Sequence, residues 1–73
     1  MLWSFKRNGQ TLLCEVRHAP DDQGFELVVI GPGHTHTERF RNVAALMSRE
    51  HELTTAWRAL GWQLDCGTEP RGR

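Results

Sequence analysis

Polar and apolar residues alternate along two short segments near the start of the chain, and Asn8-Gly9 lies between them. Alternation with a period of two is typical of a β-strand that has one face against a core. Asn-Gly supplies the two residues at positive φ that a two-residue hairpin turn requires. The pattern therefore predicts a hairpin in which Arg7 pairs with Gln10. Its apolar face carries Met1, Trp3, Phe5, Leu12, Cys14 and Val16.

Two further segments, 25–30 and 35–40, continue the strand pattern. The turn at 31–33 contains Pro-Gly, which favours a type II turn and suits a two-residue hairpin poorly. A loop of two residues and a loop of four residues both remain open, and both keep the same side chains on the core side. The fourth strand is predicted at an edge of the sheet, because His36 and Glu38 fall on its core side and reach solvent there.

From Asn42 onward the apolar residues recur at steps of three and four, which is the period of a helix. Asn42 is the predicted N-cap, and Gly61 is the predicted C′ residue of a Schellman ending. The pattern predicts one helix over about 43–60, long enough to cover the apolar face of the sheet. The residues that recur are Val43, Leu46, Met47, Glu50, Leu53, Thr54, Trp57 and Leu60.

These elements predict an α+β fold of the order ββββα. A four-stranded antiparallel meander is followed by one C-terminal helix packed on one sheet face. The chain has 73 residues, which leave room for one domain. We expect this domain to span 1–62, and we expect 63–73 to be a disordered tail.

Charge and composition narrow the classes of function. Nine Lys+Arg balance nine Asp+Glu, which argues against a protein that grips nucleic acid or anionic lipid with its whole surface. No apolar run approaches the roughly 20 residues of a membrane span. The first residues place charge after a short apolar stretch, unlike an export signal, so a cytoplasmic location is expected. The excess of Arg over Lys suggests a GC-rich genome and a bacterial source.

No motif in the sequence has the spacing of an active site or a cofactor site. We therefore expect no enzyme activity, no catalytic residue and no cofactor. His34 and His36 share one strand face and resemble part of a metal site, but zinc needs further ligands at matching spacing. Two histidines at an edge strand in water are the alternative interpretation, and we expect no metal.

The sheet face away from the helix, called the outer face below, is the candidate interaction surface. One helix covers one face only, so apolar residues on the outer face are exposed or covered by another chain. We expect a symmetric homodimer that packs sheet to sheet or at strand edges; a half-solvated face is the alternative. The predicted registers place Leu13 beside Ile30 with Val28 two residues along, and Glu26 between Arg17 and Arg39. The candidate surface is Leu13, Val28, Ile30, Arg17, Glu26 and Arg39.

Single-stranded nucleic acid is the alternative partner. Exposed arginines on a curved sheet can contact phosphates, while aromatic side chains stack on bases. The predicted outer face has no aromatic residue, which counts against this interpretation. The arginines that would form the stripe are Arg17 and Arg39 on the sheet with Arg41, Arg49 and Arg58 on or beside the helix.

The opening Trp3-x-Phe5…Asn8-Gly9 and the close Trp57-Arg-Ala-Leu-Gly-Trp62 resemble a group of short uncharacterised bacterial proteins. In these proteins a β-meander is followed by a helix that ends in Gly-Trp. The resemblance covers most of residues 1–62. It implies the fold predicted above, and it implies no known function and no active site.

Overall fold

Five antiparallel strands and one helix make up the computed structural model, which describes residues 1–21 and 23–67. The elements are β1 (Leu2–Arg7), β2 (Gln10–His18), β3 (Phe25–Gly31), β4 (His34–Phe40), α1 (Val43–Ala59) and β5 (Gln63–Gly67). The strands lie side by side in the order β4-β3-β2-β1-β5. The predicted α+β class, with the helix packed on one face of the sheet, is confirmed.

The first hairpin has the predicted register over its whole length. Arg7 lies opposite Gln10, and the other pairs follow from that closing pair. Asn8 and Gly9 have φ values of 50° and 78°. Both residues therefore adopt the left-handed conformation that this turn needs and that Asn and Gly tolerate best.

The β3–β4 connection takes the shorter of the two predicted forms. Gly31 lies opposite His34, so Pro32-Gly33 is a loop of two residues. Gly33 has a φ of 87°, which is the value that a type II turn requires at its second central position. Pro32 occupies the first central position, where its ring fixes φ at a suitable value. The two strands are paired without interruption although this turn is less common in hairpins.

The predicted number of strands is wrong by one, because residues 63–67 form β5 instead of belonging to a tail. β5 runs antiparallel to β1, with Leu64 opposite Phe5 and Cys66 opposite Ser4. The register shifts between these two pairs, so Asp65 is the extra residue of a β-bulge. This strand pairs with β1, and the hydrophobic pattern within residues 63–67 alone does not predict that pairing. The rest of the predicted tail, 68–73, lies outside the described residues.

Both ends of α1 are capped as predicted. The Asn42 side chain accepts a hydrogen bond from the Ala45 backbone N–H at 2.9 Å. At the other end the Trp62 N–H donates to the Trp57 carbonyl, and the Gly61 N–H donates to the Arg58 carbonyl, each at 3.0 Å. These two bonds define a Schellman motif. The helix is one residue shorter than predicted.

The core lies between α1 and the sheet. Leu46 is the one fully buried residue of the helix, and Leu53 and Trp57 are partly buried beside it. Three members of the predicted apolar pattern, Val43, Met47 and Leu60, are instead exposed, since the sheet reaches only one side of the helix. The buried cluster consists of Phe5, Leu12, Cys14, Leu27, Val29, Leu46 and Trp62.

Arg7 connects the first hairpin to the end of the helix. Its Nη1 donates to the Leu60 carbonyl at 2.9 Å, and its guanidinium lies 4.7 Å from the centre of the Trp62 ring. A cation is favoured at a helix C-terminus, where the last carbonyls lack partners, and over the face of an indole ring. This side chain therefore fixes β1 relative to α1 and the start of β5. In the part of the chain that the structure describes, no helix has the length and apolarity to cross a membrane.

Candidate interaction surface on the outer face of the sheet

The structure brings all six predicted surface residues to the outer face. Leu13 and Ile30 lie directly opposite each other on β2 and β3, and Val28 lies two residues along from Ile30. Glu26 lies opposite Arg17 on one side and opposite Arg39 on the other. The alternating residues of β3, Leu27 and Val29, point to the opposite side and belong to the core. No helix or strand among the described residues lies over the outer face.

Exposure is unequal within the apolar part of this surface. Ile30 is 38% exposed and Leu13 is half-buried, but Val28 is only 4% exposed. Val28 lies in the middle of β3, opposite Glu15 on β2 and opposite Thr37 on β4. Ile30 lies close to the turn, where fewer neighbours remain. The open apolar part of the outer face is therefore Ile30 with Leu13.

In the charged part of the surface, both arginines, Arg17 and Arg39, form ion pairs with carboxylates. Arg17 Nε lies 3.1 Å from Glu26 Oε1, and Arg39 Nη2 lies 3.4 Å from Glu26 Oε2. Arg39 Nη1 also contacts Asp21 Oδ2 at 3.0 Å. The Gln23 backbone N–H and then Arg39 hold the pKa of the Asp21 carboxyl below its ordinary value. The sequence did not point to Asp21 as a partner, because the shape of the β2–β3 turn brings it to Arg39.

A second cluster lies on the helix side of β4. Arg49 donates to both oxygens of Glu38 at 2.9 and 3.0 Å, and His36 Nε2 lies 2.8 Å from Glu38 Oε2. Arg49 also contacts Glu52 at 3.1 Å. The bidentate arrangement is the stronger form of an arginine–carboxylate pair. Arg49 and then His36 lower the pKa of the Glu38 carboxyl. This cluster links the edge strand to α1 through charged side chains.

Because the pKa of Glu38 is lowered by folding, its contribution to stability is present at neutral pH and is lost as the pH falls below about 5. We expect Glu38→Gln to remove this contribution. The free energy of unfolding, measured with urea from pH 7 to pH 3, should then decline less in the variant than in the parent protein. Arg49→Gln removes the cation that causes the shift and should flatten the profile in the same way. If the free energy of unfolding of both variants fell with pH as steeply as that of the parent, the pH dependence would not come from the pairing of Glu38 with Arg49.

The remaining candidates do not assemble into a chemical site. His36 is bonded to Glu38, and within 1–21 and 23–67 no group of three or more His, Cys, Asp or Glu side chains is placed to hold a metal ion. Cys14 is a fully buried free thiol, as predicted for a core residue. Burial, with a smaller effect from Glu50, raises the pKa of this thiol to about 12. A thiol with so high a pKa is not a nucleophile at neutral pH.

The outer face therefore combines an open apolar pair, Leu13 and Ile30, with arginines whose charges are met by carboxylates of the same face. Comparisons of the chain with protein-family models, with curated proteins and with solved structures found no match.

Proposed function

We propose that this domain has no catalytic activity and works by binding protein, with a second copy of itself seated on its outer face. The observation that carries this proposal is the exposure of Ile30, beside half-buried Leu13, in the apolar part of a sheet face over which no other described element lies. Apolar side chains on such a face gain free energy when another surface removes them from water.

The electrostatics of the face support a copy of itself as the partner. Glu26 and Asp21 together balance the charges of Arg17 and Arg39. Two such faces do not repel each other when they meet, whereas two basic faces would. The same pairing gives the phosphates of nucleic acid little unbalanced positive charge, so we favour protein over single-stranded nucleic acid.

The size of the face fits a dimer at the small end of the stable range. Five strands about 4.8 Å apart, each roughly 22 Å long, give a flat area on the order of 500 Å². Two faces then bury about 1,000 Å², which is near the lower limit for a specific protein interface. We therefore expect association at micromolar concentrations.

A bacterial cytoplasm is the location we propose for this dimer. Cys14 is a free thiol, which suits a reducing compartment. The chain has only one lysine, Lys6, among its nine basic residues, as expected of a GC-rich bacterial genome.

Ile30→Lys tests the proposed face. A two-fold interface contains Ile30 twice, so the substitution places two lysines in one apolar contact. An unpaired buried charge costs about 3 kcal/mol or more, so the dissociation constant should rise at least ~100-fold. In sedimentation at micromolar concentration the mass of the assembly should fall by a factor of two.

Met47→Lys is the matched control. Met47 is 41% exposed, close to the 38% of Ile30, but it lies on the helix, away from the outer face. This variant should keep the mass of the parent protein, and circular dichroism should show that both variants are folded. An Ile30→Lys protein with the mass of the parent would overturn the face contact.

A further inference from the structure

At the outer edge of β4, three residues have backbone groups with no hydrogen-bond partner among the described residues. Gly31 and His34 close a two-residue loop, and such a closing pair is hydrogen-bonded. Hydrogen-bonded and non-bonded pairs then alternate, so the N–H and C=O groups of Thr35, Thr37 and Arg39 point away from β3. No described strand lies beyond β4, and all three residues are exposed.

The two edges of the sheet differ in how well they are protected. β5 is short, and its bulge at Asp65 interrupts the edge. β4 has seven consecutive pairs with β3, with no register shift and no proline. We propose that β4 pairs antiparallel with β4 of a second copy of this chain, across a two-fold axis at Thr37, so that two sheets become one of ten strands. This arrangement is called the edge contact below.

The side chains of β4 select this register among the symmetric ones. With Thr37 on the axis, all seven residues are paired and each His36 faces Glu38 of the partner subunit. A shift of the axis to His36 or to Glu38 pairs fewer residues of the two strands. With the axis at Glu38, two carboxylates also face each other, which is destabilising. On the other face of the strand, Thr37 meets its own copy and Thr35 meets Arg39 of the partner subunit.

A charge on the inner side of an edge strand often prevents such pairing. Here the Glu38 carboxylate is already paired with Arg49 and hydrogen-bonded to His36 of its own chain. In the edge contact the partner's His36, a neutral or positive side chain and not a second carboxylate, lies opposite Glu38. The inner carboxylate is therefore paired within its own chain and does not oppose association in the Thr37 register.

The helix also leaves room for a second copy. Arg49 reaches Glu38, which identifies the side of α1 that lies above β4. Ala45, Glu52 and Ala56 share that side at helical spacing, and all three are exposed. The small alanine side chains allow a second helix, related by the two-fold axis, to approach closely.

The edge contact uses a different surface from the face contact under Proposed function, and it does not depend on it. If both contacts form, four copies assemble, and loss of either contact leaves a dimer. If only the edge contact forms, the parent protein is a dimer that Ile30→Lys does not dissociate.

Thr37→Pro tests the edge contact directly. The Thr37 N–H points away from β3, so proline removes no hydrogen bond within the chain but blocks pairing with a second β4. Thr37→Val keeps the N–H and is the matched control. In sedimentation, Thr37→Pro should halve the mass of the assembly, and Thr37→Val should keep the mass of the parent.

Amide hydrogen exchange provides a readout that a face contact does not change. In the parent protein the amides of Thr35, Thr37 and Arg39 should exchange at least about tenfold more slowly at high than at low protein concentration. In Thr37→Pro the amides of Thr35 and Arg39 should lose this protection, while those of the β2–β3 pairs keep theirs and show that the sheet is folded. Fast exchange of all three amides in the parent, or an unchanged mass of Thr37→Pro, would overturn the proposal.

Discussion

Leu46→Ala is expected to lower the free energy of unfolding by about 3–5 kcal/mol. Leu46 is 0% exposed and is the one fully buried side chain of α1, so its removal leaves a cavity between the helix and the sheet. A domain of 73 residues has a total stability of about 4–11 kcal/mol. The variant should therefore melt at least about 12 °C lower, and a fraction of it should be unfolded at 37 °C.

Met47→Ala is the control for this experiment. Met47 is the next residue of the same helix but is 41% exposed, and alanine is a better helix former than methionine. Its free energy of unfolding should stay within about 1 kcal/mol of the parent protein. Urea denaturation followed by tryptophan fluorescence measures both variants. Equal losses for the two positions would show that α1 is not attached to the sheet through Leu46.

Gly24→Ala is expected to cost about 2–5 kcal/mol, because two penalties fall on one residue. Gly24 has a φ of 106°, a conformation that residues with a side chain rarely adopt. A Cβ at this position would also overlap the carbonyl oxygen of Phe40, which belongs to the neighbouring strand. A backbone atom cannot rotate away as a side chain can, so β4 would have to move from the β2–β3 turn.

Gly9→Ala separates the two penalties. Gly9 also has a positive φ, 78°, but a Cβ there would meet nothing within 4 Å. It should cost about 1 kcal/mol from backbone strain alone. Thermal unfolding of both variants gives the comparison. A Gly24→Ala protein that is no less stable than Gly9→Ala would show that the contact with Phe40 does not constrain the turn.

Local turn chemistry explains why so much of the sheet could be predicted. Asn8-Gly9 admits one tight turn, and that turn sets every pair of the first hairpin. The alternation of apolar and polar side chains then determines the register of β3 and β4, because a shift of one residue would expose their apolar residues to water. The pairing of Glu26 with Arg17 and Arg39 follows from the same registers.

The features that the sequence did not predict all depend on contacts between distant parts of the chain. β5 contains Gln63, Asp65 and a bulge, and it forms because β1 offers a free edge, not because its own residues favour a strand. The bond between Glu38 and Arg49 depends on the height of α1 above β4. Val28 is only 4% exposed although it lies on the outer face, in the middle of a strand with a neighbouring strand on each side. None of these follows from the period of a single segment.

The pairing of β5 with β1 also has a consequence for how the protein folds. It joins β1 to the last described strand, so it closes the longest loop among the strand pairs of the described residues. Sheets that depend on such distant contacts fold slowly compared with helical domains of the same size. While the chain is synthesised, β1 can pair with β2 but keeps an open edge until 63–67 arrive. During this interval the unprotected β1 is a sheet edge in place of the short, bulged β5. We therefore expect misassociation with other chains to be greatest at this stage.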